Sequence, residues 1–315
     1  MPSSPDIVFI HGMWGSGRVA SPLRKFLEGR GHVVHCPTLP AHRSDTRSRV
    51  DHLSLQDYVD AICGFIDSRE FEQPPILIGH SMGGLIAQMI ASQRESGPIV
   101  LLASAGPAGV NHICYGSFRT TWRILLTPFF WKKSHQPDWE SARYGLLNCV
   151  EEDRARELWG SFRPESGRAL GELVFWFCDF TRTSRLPFRP RVPTLIISGN
   201  KDVITPPPVA RALKKLYPHA ELAEFPDNGH WMIEEPGREK IFERIASWID
   251  GFAKPEKERS AHHALTTDIL AGKETSEPTD LPSPQLPPSK SPGNRPALDR
   301  SNDLRKNAHG SSSAE

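Results

Sequence analysis

The stretch Pro75-Ile-Leu-Ile-Gly-His-Ser-Met-Gly-Gly-Leu-Ile-Ala-Gln-Met-Ile90 constrains the fold more than any other part of the chain. A β-branched run stops at Gly79-His-Ser-Met-Gly83, and apolar residues then resume with a different period. A strand that turns into a helix within a couple of residues forces the turning residue into a strained backbone conformation. It also brings the positions two before and two after so close to their surroundings that only small residues fit. Gly79 and Gly83 occupy those positions, with Gly84 giving further room for helix–strand contact. The turn lifts the Ser81 hydroxyl above the sheet, and the free N–H groups of the next helix point at the same place. A G-x-S-x-G pentapeptide alone arises by chance. Between a strand and an amphipathic helix it is a strong signal.

The same alternation runs along much of the chain. Asp6–Ile10, Val33–His35, Ile76–Ile78, Ile99–Leu102, Thr194–Ile197 and Leu222–Phe225 read as strands, the edge ones being the weakest. Leu55–Ile66, Met82–Ser92, Val209–Leu216 and Arg238–Phe252 read as helices. Near-continuous β-branched runs followed by helices predict a mostly parallel sheet covered on both faces, an α/β, doubly wound architecture. Ligands of such sheets gather at the carboxyl ends of the strands. Residues 1–106 and 191–253 are therefore expected to form one core.

Residues 107–190 interrupt this pattern with helical patches, no convincing strand and more than half of the chain's aromatic residues. The expectation is a helical lid over the sheet's carboxyl edge. Most of its rings (Tyr115, Trp122, Phe129, Phe130, Trp131, Trp139, Trp159, Phe175, Trp176 and Phe177) should form the insert's own core, and a minority should line a pocket. Residues 254–315 are rich in Pro and Ser, cannot bury enough apolar surface to offset chain entropy, and are expected to be disordered.

Composition narrows the function. A formal net charge of +1 over 315 residues leaves no electrostatic footprint for nucleic acid. No apolar run approaches the ~18 residues of a membrane span, and the N-terminus has no signal-peptide pattern. The cysteines, Cys36, Cys63, Cys114, Cys149 and Cys178, are odd in number, scattered and without metal-ligand spacing. They are expected to be idle thiols in a reducing, cytoplasmic setting, and no metal or cofactor is called for. Oligomeric state leaves no trace in the sequence.

A serine hydroxyl is a poor nucleophile at neutral pH and needs a base that an acid orients. In a doubly wound sheet those partners belong on loops after later strands. Thr194-Leu-Ile-Ile-Ser-Gly-Asn-Lys-Asp202 ends in a turn presenting Asp202, and the prolines after it stiffen the approach to the next helix. Glu221-Leu-Ala-Glu-Phe-Pro-Asp-Asn-Gly-His230 presents His230 in the same way. The order Ser81, Asp202, His230 is that of serine hydrolases built on such sheets. Asp227 competes with Asp202 as the acid, although Pro226–Gly229 reads as a turn. His32, His35, His80, His262 and His263 have blander placements, beside a strand, inside the elbow or at the start of the tail.

Attack on a carbonyl also requires donors for the developing oxyanion. The backbone N–H of Met82 is one candidate. The other is Met13, with Trp14 as the alternative, in the loop Ile10-His-Gly-Met-Trp-Gly-Ser-Gly17. That loop lacks both G-x-G-x-x-G and a G-K-[ST] ending, which argues against a phosphate site.

With its His-Gly loop and Gly-His-Ser-Met-Gly elbow, the chain from about Asp6 to Phe252 resembles the α/β-hydrolase superfamily, in the esterase- and lipase-like group with a helical lid. The insert falls at the usual lid position. The sheet begins at what is the third strand of the longest members, and the tail has no counterpart in the family pattern. The resemblance implies a cofactor-independent serine hydrolase that cleaves the ester of a small, fairly apolar molecule through an acyl-enzyme. Thioesterases, amidases, acyltransferases and carbon–carbon bond hydrolases share the motif set, and a ligand-sensing, non-catalytic homologue is a further alternative. Dehalogenases and epoxide hydrolases of the superfamily use an aspartate at the elbow, and Ser81 argues against them. Arg119, Arg123, Lys132 and Lys133 are expected to form a solvated helix face, the other reading being contact with an anionic headgroup.

Overall fold

The computed structural model describes residues 5–42, 50–110, 113–179 and 181–252. The expected Pro/Ser-rich tail, with His262 and His263, lies outside them. Six strands, β1 (Ile7–Ile10), β2 (Val34–His35), β3 (Ile76–His80), β4 (Ile99–Leu102), β7 (Thr194–Gly199) and β8 (Glu221–Phe225), form one sheet in the order β2-β1-β3-β4-β7-β8. Every pairing in it is parallel, from Ile7 beside Val34 at one edge to Gly199 beside Phe225 at the other.

The inner strands β1, β3, β4 and β7 are buried along their whole length, which is why their sequences run apolar without alternation. Truncating one such side chain, as in Ile78→Ala, would cost about 2–5 kcal/mol. The edges are blunt. β2 has two residues, and β8 alternates exposed and half-buried positions.

Helices α1 (Ser21–Glu28), α2 (Leu55–Asp67), α3 (Met82–Gln93), α8 (Pro207–Leu216) and α9 (Arg238–Asp250) accompany the sheet. α2 starts at a capping box in which the Ser54 hydroxyl accepts from the Asp57 N–H and the Asp57 carboxylate accepts from the Ser54 N–H. α3 is buried almost all round, so its apolar residues show little one-sidedness. From β1 the chain runs to β2 on one side and then crosses back to β3 on the other. The carboxyl ends of β1 and β3 therefore flank the switch point where such sheets bind ligands.

Between β4 and β7 lie α4 (Tyr115–Leu125), α5 (Trp139–Gly145), α6 (Glu152–Ser161) and α7 (Gly167–Val174). Two two-residue strands, β5 (Ser134–His135) and β6 (Glu165–Ser166), pair antiparallel, a ladder too short to leave a period in the sequence. Most of ten rings in this segment are expected in its core, but five of the ten are exposed: Tyr115, Trp122, Phe129, Trp131 and Phe177. For Tyr115 and Trp122 the reason lies in α4, whose inward face is made of Gly116, Thr120, Thr121 and Ile124. Its close approach to α5 at Gly145 leaves no room for a ring there, because a side chain at Gly145 would collide with Thr120.

A buried polar group joins this segment to the core. Glu165 accepts from Tyr58 Oη of α2 at 2.5 Å and from its neighbour's Ser166 N–H at 2.7 Å, and it meets His42 Nε2 at 3.0 Å. Burial alone would lower the His42 pKa. The adjoining carboxylate outweighs burial, so the ring titrates above its ordinary value. Among the described residues, no helix is long and apolar enough to cross a membrane.

Candidate active site

The loops that follow β1, β3, β7 and β8 meet at one rim of the sheet. Ser81 stands at the β3–α3 turn with φ 55° and ψ −120°, a conformation that L-residues rarely adopt. Tight packing holds the strain in place. Ser81 N–H donates to Leu102 O at 3.0 Å, and Ser81 O accepts from the N–H groups of Gly84 and Ala105. A Cβ on Gly79 would fall on the Gly83 carbonyl, and one on Gly83 would fall on the carbonyl of Ile10. Both glycines are therefore required by close backbone approach, as the spacing suggests.

His230 Nε2 lies 3.0 Å from Ser81 Oγ, and its Nδ1 lies 2.9 Å from Asp202 Oδ2. Facing a carboxylate, Nδ1 carries the proton, which leaves Nε2 free to accept from the serine hydroxyl. Asp202 and His230 are buried. The Asp202 carboxylate also accepts from the backbone N–H groups of Ile204 and Thr205 at 2.8 and 2.9 Å. Thr205 Oγ1 is 2.7 Å from it. Burial by itself would raise the Asp202 pKa. The His230 ring and these hydrogen bonds outweigh burial and hold it below the usual carboxylate value. Asp227, the competing acid, is exposed and pairs with Lys201 Nζ at 3.0 Å, away from the imidazole.

Met13, Trp14 and Met82 surround the same point. As the first residue of α3, Met82 has an N–H with no partner inside its helix. The loop carrying Met13 is held by His11, whose Nδ1 donates to Gly12 O at 2.8 Å while Nε2 accepts from Leu39 N–H at 3.0 Å. Trp14 has φ 62°. His80 donates from Nε2 to His230 O at 2.9 Å and so braces the histidine loop from the elbow. Burial lowers the pKa of His11 and of His80 to about 3, so both rings stay neutral.

Two supporting residues escaped the sequence reading. Thr205 closes a turn on Asp202, a signal present in the Asp-x-x-Thr spacing but common in ordinary loops. Glu235 is buried and accepts from Gly229 N–H at 2.6 Å and Asn228 Nδ2 at 3.2 Å, which shapes the loop before His230. Its burial raises its pKa.

A cavity of about 230 Å³ opens over Ser81. The sheet supplies Met13, Met82 and Trp231, and the segment between β4 and β7 supplies Leu146, Leu170 and Phe175. Among the described residues, no Asp, Glu, Lys or Arg lines it. That segment is fastened to the loops after β1, β7 and β8. Trp14 Nε1 donates to His135 O at 3.1 Å, and Arg163 N–H donates to Trp14 O at 2.8 Å. Asn148 Nδ2 donates to Lys201 O at 2.8 Å, and Arg154 pairs with Glu234 at 2.7 Å. A side chain at Gly116 would collide with Val203 O, so α4 rests directly on the Asp202 loop.

Comparison with known proteins agrees with this architecture. The chain is 24% identical over 258 residues to an uncharacterized hydrolase, YugF, of Bacillus subtilis, across 79% of this chain and 91% of that protein. It is 32% identical over 109 residues to the monoacylglycerol lipase ABHD6 of Bos taurus, a match spanning about a third of each, 34% of this chain and 32% of the lipase. Among solved structures, a Paleococcus ferrophilus monoacylglycerol lipase superposes with TM-score 0.59 at 22% identity, over 78% of this chain and 95% of that one. A methylesterase, MES16, from Arabidopsis gives TM-score 0.60 at 16% identity, over 78% and 99%. These identities speak for the fold alone. The sequence model of the alpha/beta hydrolase family matches residues 7–239, from the first strand of the sheet into its last helix and through all three residues of the relay. By fold, elbow and family match together, the chain belongs to the α/β-hydrolase family.

Proposed function

We propose that the protein is a serine hydrolase that cleaves a carboxylic ester of a small, uncharged and fairly apolar molecule through an acyl-enzyme. The observation that carries this reading is the Asp202–His230–Ser81 relay, with steps of 2.9 and 3.0 Å, at the floor of an uncharged apolar cavity. Ser81 Oγ attacks the ester carbonyl as His230 Nε2 takes its proton, and Asp202 stabilises the resulting imidazolium. The N–H groups of Met82 and of Met13 or Trp14 receive the oxyanion, each such donor contributing ~3 kcal/mol of transition-state stabilisation. Collapse expels the alcohol, which leaves with the proton from His230. Water then attacks the acyl carbonyl while His230 accepts its proton, and collapse releases the acid product as His230 returns that proton to Ser81 Oγ. The segment between β4 and β7 acts as the lid.

The lipases and the methylesterase among the similar proteins agree with an ester as substrate. The uncharged lining disfavours a substrate with a charged group beside the reacting carbonyl, since nothing there would replace its water. A panel of nitrophenyl esters and matched acyl thioesters of rising acyl length tests the reading. The expected result is a burst followed by turnover, fastest for esters and absent from Ser81→Ala. Faster cleavage of the thioesters would reassign the substrate. Binding without turnover across the panel would overturn catalysis.

A further inference from the structure

The segment between β4 and β7 carries a surface that this reaction leaves unused. Among the described residues, every exposed large hydrophobic side chain except Val33 lies between residues 113 and 188. α4 is its centre. At 100° per residue, Tyr115, Phe118, Trp122 and Leu126 fall within an arc of about 80°. They expose 74%, 53%, 38% and 69% of their surface. The opposite, buried face holds only Gly116, Thr120, Thr121 and Ile124, so the larger apolar side chains point outward, the reverse of an ordinary surface helix. Phe129 and Trp131, exposed and edge to face at 5.7 Å, follow directly, and Phe175 and Phe177 meet in the same way at 6.1 Å. Phe118 and Phe175 also line the cavity over Ser81, so the apolar face continues into its mouth.

Charge selects what covers this face. Between residues 113 and 137 the chain contains Arg119, Arg123, Lys132 and Lys133 and neither Asp nor Glu. On α4 the two arginines lie along one side of the stripe, displaced from Tyr115 by about 40° and 80°. Arg123 pairs with Asp138 at 3.0 Å, and Arg119 lies over the Tyr144 ring at 3.8 Å. Lys132 and Lys133 are exposed beside Phe129 and Trp131. A second copy of the chain docking face to face would set these cations against themselves. Trp, Tyr and Phe edged by Lys and Arg match the interface of a bilayer, apolar beneath and anionic at the headgroups. We infer that this face docks peripherally on an anionic lipid surface and turns the cavity mouth towards the lipid.

Co-sedimentation of the full chain with phosphatidylcholine vesicles, with and without phosphatidylglycerol, tests this directly. Binding is expected on the anionic vesicles, weaker on the neutral ones and weakened by salt. Lys132→Ala/Lys133→Ala should bind anionic vesicles about 25-fold less tightly, about fivefold for each charge lost. Tyr115→Ser/Trp122→Ser/Leu126→Ser should abolish vesicle binding. It should leave hydrolysis of a short water-soluble ester unchanged, because none of the three lines the cavity. If that triple variant fails to fold, the lysine pair carries the test. The inference is overturned if the full chain ignores anionic vesicles or if both variants bind as the parent does. It is also overturned if sedimentation shows a dimer that the triple variant dissociates. Vesicle binding requires no turnover, so its failure is distinct from failure of the ester reading.

Discussion

The sheet rim and α4 are built on opposite plans. At the rim, polar groups are taken out of water and most are given partners, Trp231 Nε1 being one that has none among the described residues. Asp202 accepts from two backbone N–H groups and meets the Thr205 hydroxyl and His230, and His11 and His80 are held neutral by burial. On α4, large apolar groups are put into water while Gly and Thr occupy the packed face. Buried polar groups are tolerated where a fixed geometry is needed, and exposed apolar groups where contact with another phase or molecule is needed. Under the proposed function and the proposed docking, the first plan serves chemistry and the second recognition. Substitutions in the two places should therefore fail in different ways.

The largest effects belong to the rim. Ser81→Ala should lower kcat by about 10⁴–10⁶-fold with the fold intact, and Asp202→Asn, which favours the wrong imidazole tautomer, by about 10⁴-fold. Initial rates on a soluble ester check both. An Asp202→Asn variant with near-parent rates would show that the acid lies elsewhere.

Acid sensitivity should come next, and it also originates at the rim. His11 faces His42 and His80, and His80 faces His230 and Asp202. Their folded pKa values, about 3, lie below the ordinary 6.5, so between these limits the unfolded chain binds more protons and stability is lost as pH falls from 6.5 towards 3. Each ring contributes up to about 1.4 kcal/mol per pH unit. His42 has the opposite shift, and its contribution is complete below 6.5 and lost as pH rises through its raised folded value. Urea melts at pH 7 and pH 5 should therefore show a large loss, and His80→Asn should flatten it. An unchanged slope in that variant would count against a neutral buried ring.

Glu165 tests the joint between the two regions. Glu165→Gln leaves His42 without its charge partner and should cost about 3 kcal/mol. Chemical denaturation measures this, and a loss below about 0.5 kcal/mol would show the network to be incidental. The smallest effects are expected on α4, where Tyr115→Ser or Leu126→Ser alone should change stability by less than about 0.5 kcal/mol. A large loss there would mean that the outward rings support the fold rather than an external contact.

The rim was legible in the sequence because each of its parts carries a local signal. The β-branched runs of β1, β3, β4 and β7 mark strands buried on both faces. The flanking glycines mark the elbow, and Asp202 and His230 follow strands at turns. Other elements leave weaker marks. α1 is eight residues long, and its apolar stripe is only Leu23, Phe26 and Leu27, a short pattern beside the longer helices. β5 and β6 are two residues each. Thr205 and Glu235 support the site through bonds to backbone and neighbouring side chains, which any loop residue of that type can make. Five of those ten rings of the inserted segment are exposed where most are expected in its core, because composition records how many aromatics are present and not which way the chain turns them. The outward turn of Tyr115 and Trp122 follows from Gly116 and Gly145, whose lack of a side chain draws α4 against Val203 and brings α5 against Thr120.

Exposure of the full chain to a fluorophosphonate, followed by mass spectrometry of its peptides, tests the assignment of Ser81 most directly. The expected result is one adduct per chain on the peptide containing Ser81, absent from Ser81→Ala and formed far more slowly in His230→Ala. An adduct on another residue, or labelling of Ser81→Ala at the parent rate, would contradict the relay as the seat of chemistry.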